Sequence, residues 1–595
     1  MSFFDDASLA FLPSGGAGKD TKAYSIKPTD GSGDFTFSRG SNLSATRVGP
    51  TGLIEKGREN LLLQSNQFDT TWSSLNSPTL TSGQEDKDGG TNAWKFSATS
   101  SGSDRAIYQN TTGLNIVVTS SFYAKKGSVD FIYLASTRAS SSQAQWFDLA
   151  NGTLGTKLGS DIIASNIESV GNGWYRCSVT SAPYTAGYSF IALVDGDNSQ
   201  TSSNGDFVYI QDAQLEIGLA ATDYIESGAT TGKAGLLEDE PRFDYSGGAT
   251  CPSLLLEPSR TQYLGYTEYL DPANTNWAGY PTGDPVTHTQ NYAIAPDGTQ
   301  TASLLGNFTT AGFNIVNNSN FRTSTLVSQN PLDDTYTISV WLKTTSGTGT
   351  ITLLNRGLAS GTNSPQYIQC NVTNEWQRFY VSNTYTAAEN ASSLGFTIIR
   401  NGVDTLEEVL VWGAQTELGS YPTSYIPNHS GGSVTRGLDV CTGAGDAATF
   451  NDSEGVFYAE ISTNTDDTDK ALSINNSISG GSNSRLWMGY STTAKRVHAL
   501  GYVNNSIQFV LSKLMTDETL FVKIACKYAL NDVSFFVNGE KVGTDTSALE
   551  FIGLNSLDFN IGNATGGSAF YGKAKQVLYF TETLSDTDLE TLTTL

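Results

Sequence analysis

From Val208 to Glu226 the chain reads V-Y-I-Q-D-A-Q-L-E-I-G-L-A-A-T-D-Y-I-E, and from Val409 to Pro427 it reads V-L-V-W-G-A-Q-T-E-L-G-S-Y-P-T-S-Y-I-P. Both stretches open as an apolar, β-prone strand, pass through A-Q-x-E-x-G and end in x-Y-I. A strand with a fixed exit, used twice, makes the chain an array of modules. Upstream landmarks recur in the same order, offset by about two hundred residues. Asn60 to Asp69, followed by Trp72, matches Gln262 to Asp271, followed by Trp277. Ser121 onward matches Ser339 onward, and Asn172-Gly-Trp-Tyr-Arg matches Asn374-Glu-Trp-Gln-Arg.

Short β-prone runs broken by Gly, Asn and Ser turns predict an all-β chain of sandwiches. The divisions read from the pattern are a leader over 1–56, a first module over 57–232, a linker strand block with a second module over 233–436, and a last domain over 437–595. In the last domain, Asn538-Gly539 between two alternating runs predicts a hairpin, and Ser585 with Asp588 predicts a capped closing helix. Gly52-Leu-Ile-Glu55 before the first module is echoed by Gly235-Leu-Leu-Glu238 before the second.

Composition narrows the function classes. The 595 residues include 60 glycines, only 16% charged residues and a formal charge of −25. Such acidity excludes a nucleic-acid partner, which needs clustered Lys and Arg, and disfavours anionic lipid. No apolar run reaches membrane-spanning length, so no membrane insertion is expected. The acidic N-terminus argues against a signal peptide, and with it against a secreted bacterial carbohydrate-binding protein. The five dispersed cysteines show neither a zinc spacing nor a disulfide framework and read as free thiols. Ser14 to Asp20 looks like a phosphate loop, but Pro13 replaces its first glycine and Asp20 its Ser or Thr, so it reads as a turn.

With those strings in view, the two modules resemble jelly rolls of tail-fibre, head-spike and other adhesin-like proteins of tailed bacteriophages, related to carbohydrate-binding modules. The likeness rests on N-L-L-L-Q-S-N-Q-F at Asn60, W-Y-R-C-S-V at Trp174, D-A-Q-L-E-x-G at Asp212 and T-D-Y-I at Thr222. The connecting blocks F-S-R-G-S-N-L-S-A-T-R-V from Phe37 and P-R-F-D-Y-S-G-G-A-T-C-P-S-L-L-L-E-P-S-R-T from Pro241 look phage-like too. The last domain is similar to concanavalin A or laminin-G-like sandwiches, on F-F-V-N-G-E-K-V and on the run from Phe570. The resemblance implies two tandem jelly rolls, a concanavalin A-like sandwich and an extended leader. It implies a virion structural protein, assembled in the host cytoplasm, that docks on other virion proteins through the leader, carries a distal C-terminal domain, forms a homo-oligomer such as a trimer, and attaches to host-surface glycan. The alternative is a capsid decoration or tail-associated spacer without a ligand.

No catalytic constellation emerges, and the expectation is no enzyme. His288, His429 and His498 lie in different regions, and the acidic runs at Glu238 and Asp466 sit among loop residues. The resemblance also implies a structural Ca2+ in the first module with Asp212 as a ligand; the second module has Gly413 there, so the site would be lost. Asp212 otherwise reads as an acceptor for backbone donors at the strand exit. Sugar recognition uses flat aromatic faces beside hydrogen-bonding side chains. Trp72, Trp277, Trp174 and Trp376 recur between copies and read as core, leaving Tyr133, Trp146 and Tyr188 in the first module and Trp487 and Tyr490 in the last domain as candidates. Each of those five also reads as packing.

Overall fold

The computed structural model describes the chain except residues 1–2, 15–17, 41–42, 104, 111–113, 136–142, 184–187, 274, 276, 281–284, 310–319, 327–333, 358–364, 386–392, 465–469, 478–482, 492–494 and 562–568. Among the described residues strands dominate, with one four-residue helix at Phe3–Asp6 and the closing helix Asp586–Thr593. The chain is all-β. The phosphate-loop-like turn around Gly16 and the acidic run at Asp466 fall outside the described residues.

The first module is two six-stranded antiparallel sheets among the described residues. One holds Phe207–Ile217 between Val118–Lys126 and Ala93–Ser97; the other holds Phe131–Ala135 between Ala144–Asp148 and Tyr188–Val194. Period-two alternation sends Val208, Ile210, Ala213 and Leu215 inward, against Ile132, Leu134, Phe147 and Ile191 of the facing sheet. The inward phase survives a one-residue bulge because the register against Val118–Lys126 shifts between Ser121 and Tyr123. The second module repeats the plan with Val409–Leu418 central, and its register shifts at the matching place, between Ser339 and Trp341.

The duplicated A-Q-x-E-x-G…T-x-Y-I string is a buried hydrogen-bond latch. Gln214 donates to Glu216 Oε1 at 2.6 Å and accepts the Ile225 backbone N–H at 2.6 Å, while Glu216 accepts the Thr222 N–H and hydroxyl at 2.8 and 2.5 Å. In the second module Gln415, Glu417, Thr423 and Ile426 make the same four bonds at 2.6, 2.8, 2.8 and 2.6 Å. The strand exit is therefore tied back over its own sheet. Each module is closed by an incoming and an outgoing strand paired antiparallel, Arg58–Asn60 with Gly232–Ala234 and Arg260–Gln262 with Val434–Arg436.

The third sandwich departs from the expected linear order. Its larger sheet contains Glu454–Thr463, Val522–Ala529, Asp532–Val537 and Gly572–Phe580. The free edge of Gly572–Phe580 takes two further segments end to end: Ser253–Leu256 opposite Gly572 to Ala574, and Leu9–Phe11 opposite Val577 to Tyr579. Leu9, Phe11, Ala23, Phe35, Phe37, Phe243, Leu254 and Leu256 all lie in its hydrophobic core. The supposed leader is thus not a free docking arm ordered by neighbouring proteins, nor is the block after residue 233 only a linker. Both complete the C-terminal sandwich, because the apolar alternation of Phe35-Thr-Phe37 and Ser253-Leu-Leu-Leu256 needs a sheet to bury it. The chain visits this base three times and sends out one jelly roll between visits. The pairing of Leu9 with Tyr579 puts the N-terminal segment and the C-terminal sandwich in one sheet.

Where the visits cross, charged side chains are fully buried together. Arg242 Nη1 pairs with Glu257 Oε2 at 2.6 Å, Arg436 Nη1 reaches the same oxygen at 2.7 Å, and Arg39 and Arg242 both reach Asp439. The Asn538-Gly539 hairpin turn forms as expected, both residues having positive φ. Ser585 caps the closing helix by accepting from the Asp588 N–H.

Candidate ligand-binding faces of the first module

The sheet containing Phe131–Ala135 carries most of its aromatic residues on the face turned away from the sandwich core. Alternate residues Ile132, Leu134, Phe147 and Ile191 fill the sandwich core, so Tyr133, Trp146 and Phe190 point the other way, joined by Tyr108 and Tyr188. Tyr133 lies 4.9 Å from the Trp146 ring and stacks on Phe190 at 5.8 Å; Tyr108 stacks on Phe190 at 6.2 Å and meets Tyr188 edge-on at 5.3 Å. Three of the sequence candidates, Tyr133, Trp146 and Tyr188, are therefore one continuous aromatic row. Tyr108 and Phe190, which complete it, escaped sequence reasoning, although the alternation around them is visible in A-I-Y-Q and S-F-I-A. Within the row Trp146 is 0% and Tyr133 2% exposed, and Trp146 Nε1 donates to the Ser199 carbonyl at 2.7 Å. These two are packed support, and the half-buried Tyr188 forms the accessible rim.

The candidates of the last domain do not come together. Tyr490 is in the sandwich core with its hydroxyl on the Ile461 carbonyl at 3.1 Å. Trp487, three residues earlier on the same strand, faces outward, packs with Leu500 and receives His498 edge-on at 4.3 Å.

Asp212 is the bulge residue of the central strand, at φ +49. Its counterpart Gly413 has φ +64, and a Cβ there would approach Trp341 to 3.0 Å. The left-handed geometry belongs to the bulge, and the first module meets it with a short polar residue that tolerates it. The Asp212 carboxylate faces Lys87 Nζ at 3.3 Å and accepts from Gln211 Nε2 at 3.0 Å; its own N–H donates to Asn66 Oδ1 at 3.1 Å. Burial pushes its carboxyl up to about 6, against the opposing pull of Lys87. A lysine ammonium beside the carboxylate does not fit a calcium ion, and among the described residues no group of three or more His, Cys, Asp or Glu side chains is arranged to hold a metal. The Asp212 carboxylate satisfies side-chain donors, not the backbone donors expected at the strand exit. Lys87, which sequence reasoning missed, sits over the Tyr123 ring at 5.1 Å.

Asp212 opens into a pocket of about 490 Å³ whose lining includes Asn66, Asn92, Gln211, Lys87, Trp94 and Tyr224. In the second module the same surface is filled. Trp412 and Trp341 stand where Gln211 and Tyr123 stand, since each pair faces across the same strand pair. They pack with Tyr425 around Ile54 from the N-terminal segment. A second cavity, of about 300 Å³, lies between the modules and is lined in part by Leu43, Leu219, Pro427, Lys56, Glu268 and His429.

His288 Nε2 is 3.1 Å from Ser303 Oγ, but Ser303 is fully buried and burial pushes the imidazole down to about 4. That hydroxyl has no approach for a substrate.

The sequence matches no protein-family model and no curated protein. Solved structures with some likeness include the CBM40 of a Ruminococcus gnavus IT-sialidase bound to α2,3-sialyllactose, at 18% identity and TM-score 0.22, covering 25% of this chain and 86% of that one. Another is the CBM22-1–CBM22-2 tandem of Paenibacillus barcinonensis Xyn10C, at 9% identity and TM-score 0.21, covering 64% and 100%. The LG4-5 domains of the mouse laminin α1 chain match at 9% identity and TM-score 0.17, covering 45% and 89%. These likenesses do not assign the chain to a family.

Proposed function

We propose that this chain is a non-enzymatic adhesion protein of a bacteriophage particle, whose first jelly roll holds a host-surface glycan. The observation that carries the reading is the pocket at Asp212. Side-chain amides of Asn66, Asn92 and Gln211, a carboxylate, an ammonium and the rings of Trp94 and Tyr224 converge there, the mixture that recognises hydroxyls and C–H faces of a sugar. The second copy closes the same surface with tryptophan, which suits a module used for support. Weak single sites, on the order of millimolar to micromolar, would act through many copies on one particle, as a trimer or other homo-oligomer. Attachment to other virion proteins would then use the outside of the C-terminal base.

A glycan array probed with the full chain tests the reading. Binding that is lost in Asp212→Gly supports it, and a full chain that binds no glycan and no host cell rejects it. The second reading, a structural spacer without a ligand, draws on the buried ion cluster that fixes the modules to their base.

A further inference from the structure

The N-terminal segment reaches the second module through Ile54–Lys56, where the Ile54 N–H donates to the Pro296 carbonyl at 2.9 Å. Lys56 then delivers its ammonium between two carboxylates, 3.2 Å from Asp297 Oδ2 and 3.4 Å from Glu268 Oε1. Glu268 and Asp297 side chains are 1% and 3% exposed, and the Tyr425 hydroxyl donates to Glu268 Oε1 at 3.0 Å. Burial opposes charge on both partners, but Glu268 and Asp297 outweigh it and raise the Lys56 ammonium above its ordinary value, while Lys56 and Thr299 hold the Asp297 carboxyl below its own. One lysine faces two acids, His429 Nε2 lies 3.7 Å from Glu268 Oε1, and Glu268 Oε2 has no hydrogen-bond partner.

We infer that Lys56 and Asp297 are joined by an isopeptide bond, formed in the folded chain with Glu268 as the proton relay. The geometry supplies each requirement of the condensation. Asp297 Oδ1 accepts the Thr299 N–H at 3.0 Å and the Thr299 hydroxyl at 2.6 Å, so negative charge developing there is stabilised by fixed donors. Asp297 Oδ2, on the lysine side, is the oxygen that leaves. Glu268 takes a proton from the Lys56 ammonium and passes it to Oδ2; the freed amine attacks Asp297 Cγ. A second amine proton follows by the same route, the Cγ–Oδ2 bond breaks and water departs. Three ammonium protons become one amide N–H and one water, Glu268 returns to its carboxylate, and nothing is oxidised or reduced. Holding amine and carboxyl in contact replaces a bimolecular encounter by an intramolecular one, worth many orders of magnitude in effective concentration. The cavity lined by Lys56, Glu268 and Thr299 gives the water an exit.

The first module is an internal control. Ser65 and Tyr224 pair through their hydroxyls as Thr267 and Tyr425 do, so Asn66 stands in the place of Glu268. Lys87 there meets Asp88 and Asp212, but no carboxylate occupies the relay position, and Asp88 is 73% exposed. That pair remains ionic.

Intact-mass spectrometry of the full chain decides the matter. The expected mass is one water below that of the sequence, with a branched peptide joining Lys56 to Asp297 after digestion. Asp297 precedes Gly298, and such a pair can lose water alone by attack of the glycine amide. Lys56→Arg separates the two: it keeps a cation in place, cannot condense, and is expected to restore the full mass, as is Glu268→Gln. Lys87→Arg is expected to keep the water loss. A folded wild-type chain of full mass, or water loss that persists in Lys56→Arg, overturns the bond.

Discussion

Arg39 and Asp439 lie four hundred residues apart in sequence, yet Arg39 Nη1 donates to Asp439 Oδ1 at 3.3 Å with both side chains fully buried. Arg39 stands in F-S-R-G, Arg242 in P-R-F-D, Glu257 in L-L-E-P and Arg436 with Asp439 in T-R-G-L-D. Four connecting strings thus carry one buried ion cluster. It is the knot between the base and both excursions.

Removing one member leaves the others buried and unpaired, so Asp439→Ala is expected to destabilise by about 3–5 kcal/mol. Guanidinium unfolding followed by tryptophan fluorescence measures it. A loss under about 1 kcal/mol would show that water reaches the cluster.

Acid should loosen the same knot. Burial raises the carboxyl of Glu257, but Arg436 and Arg242 outweigh that and hold it below the usual carboxylate range. A depressed folded-state value gives stability that is present above the unfolded carboxylate value and lost as pH falls through the folded one. Stability of the wild type should therefore fall more steeply below about pH 4.5 than that of Glu257→Gln, already destabilised at neutral pH. Parallel curves would contradict the assignment.

Asp212 has the opposite sign. Its carboxyl is raised to about 6, so its contribution is full below the unfolded value near 3.9 and is lost as pH rises through 6. Asp212→Asn should gain on the wild type by about 1–3 kcal/mol between pH 4 and 7, read from urea midpoints. A difference that does not change with pH would place the carboxylate in water.

The C-terminal domain cut at residue 437 is expected not to fold alone. It lacks Leu9–Phe11, Phe35–Ser38, Arg242–Asp244 and Ser253–Leu256, and so exposes a sheet edge and the apolar surface they cover. Dispersed amide resonances from the isolated 437–595 fragment would refute this, and co-expression with the missing segments should restore solubility.

The latch predicts a matched pair of effects. Gln214→Leu and Gln415→Leu each leave a buried glutamate and a buried N–H without their partner, costing about 1–3 kcal/mol apiece. Thermal unfolding of the two variants should shift alike; a shift in one alone would mean the copies are not latched equivalently.

The sequence by itself determined the all-β class, the duplication, the Asn538-Gly539 hairpin and the capped last helix. Each is written in local terms: period-two alternation, a repeated string, a turn dipeptide, a cap. It also placed Tyr133, Trp146 and Tyr188 in one module; that they share one face with Tyr108 and Phe190 was decided by the sheet. The tertiary structure alone decided that Leu9 pairs with Tyr579, that Trp146 is sealed while the Asp212 pocket is open, and that Lys56 meets Asp297. Edge pairing and burial depend on which surfaces meet across hundreds of residues, and no local pattern encodes that choice. An isolated acid such as Asp212 looks the same in sequence whether a metal, a lysine or solvent lies beside it.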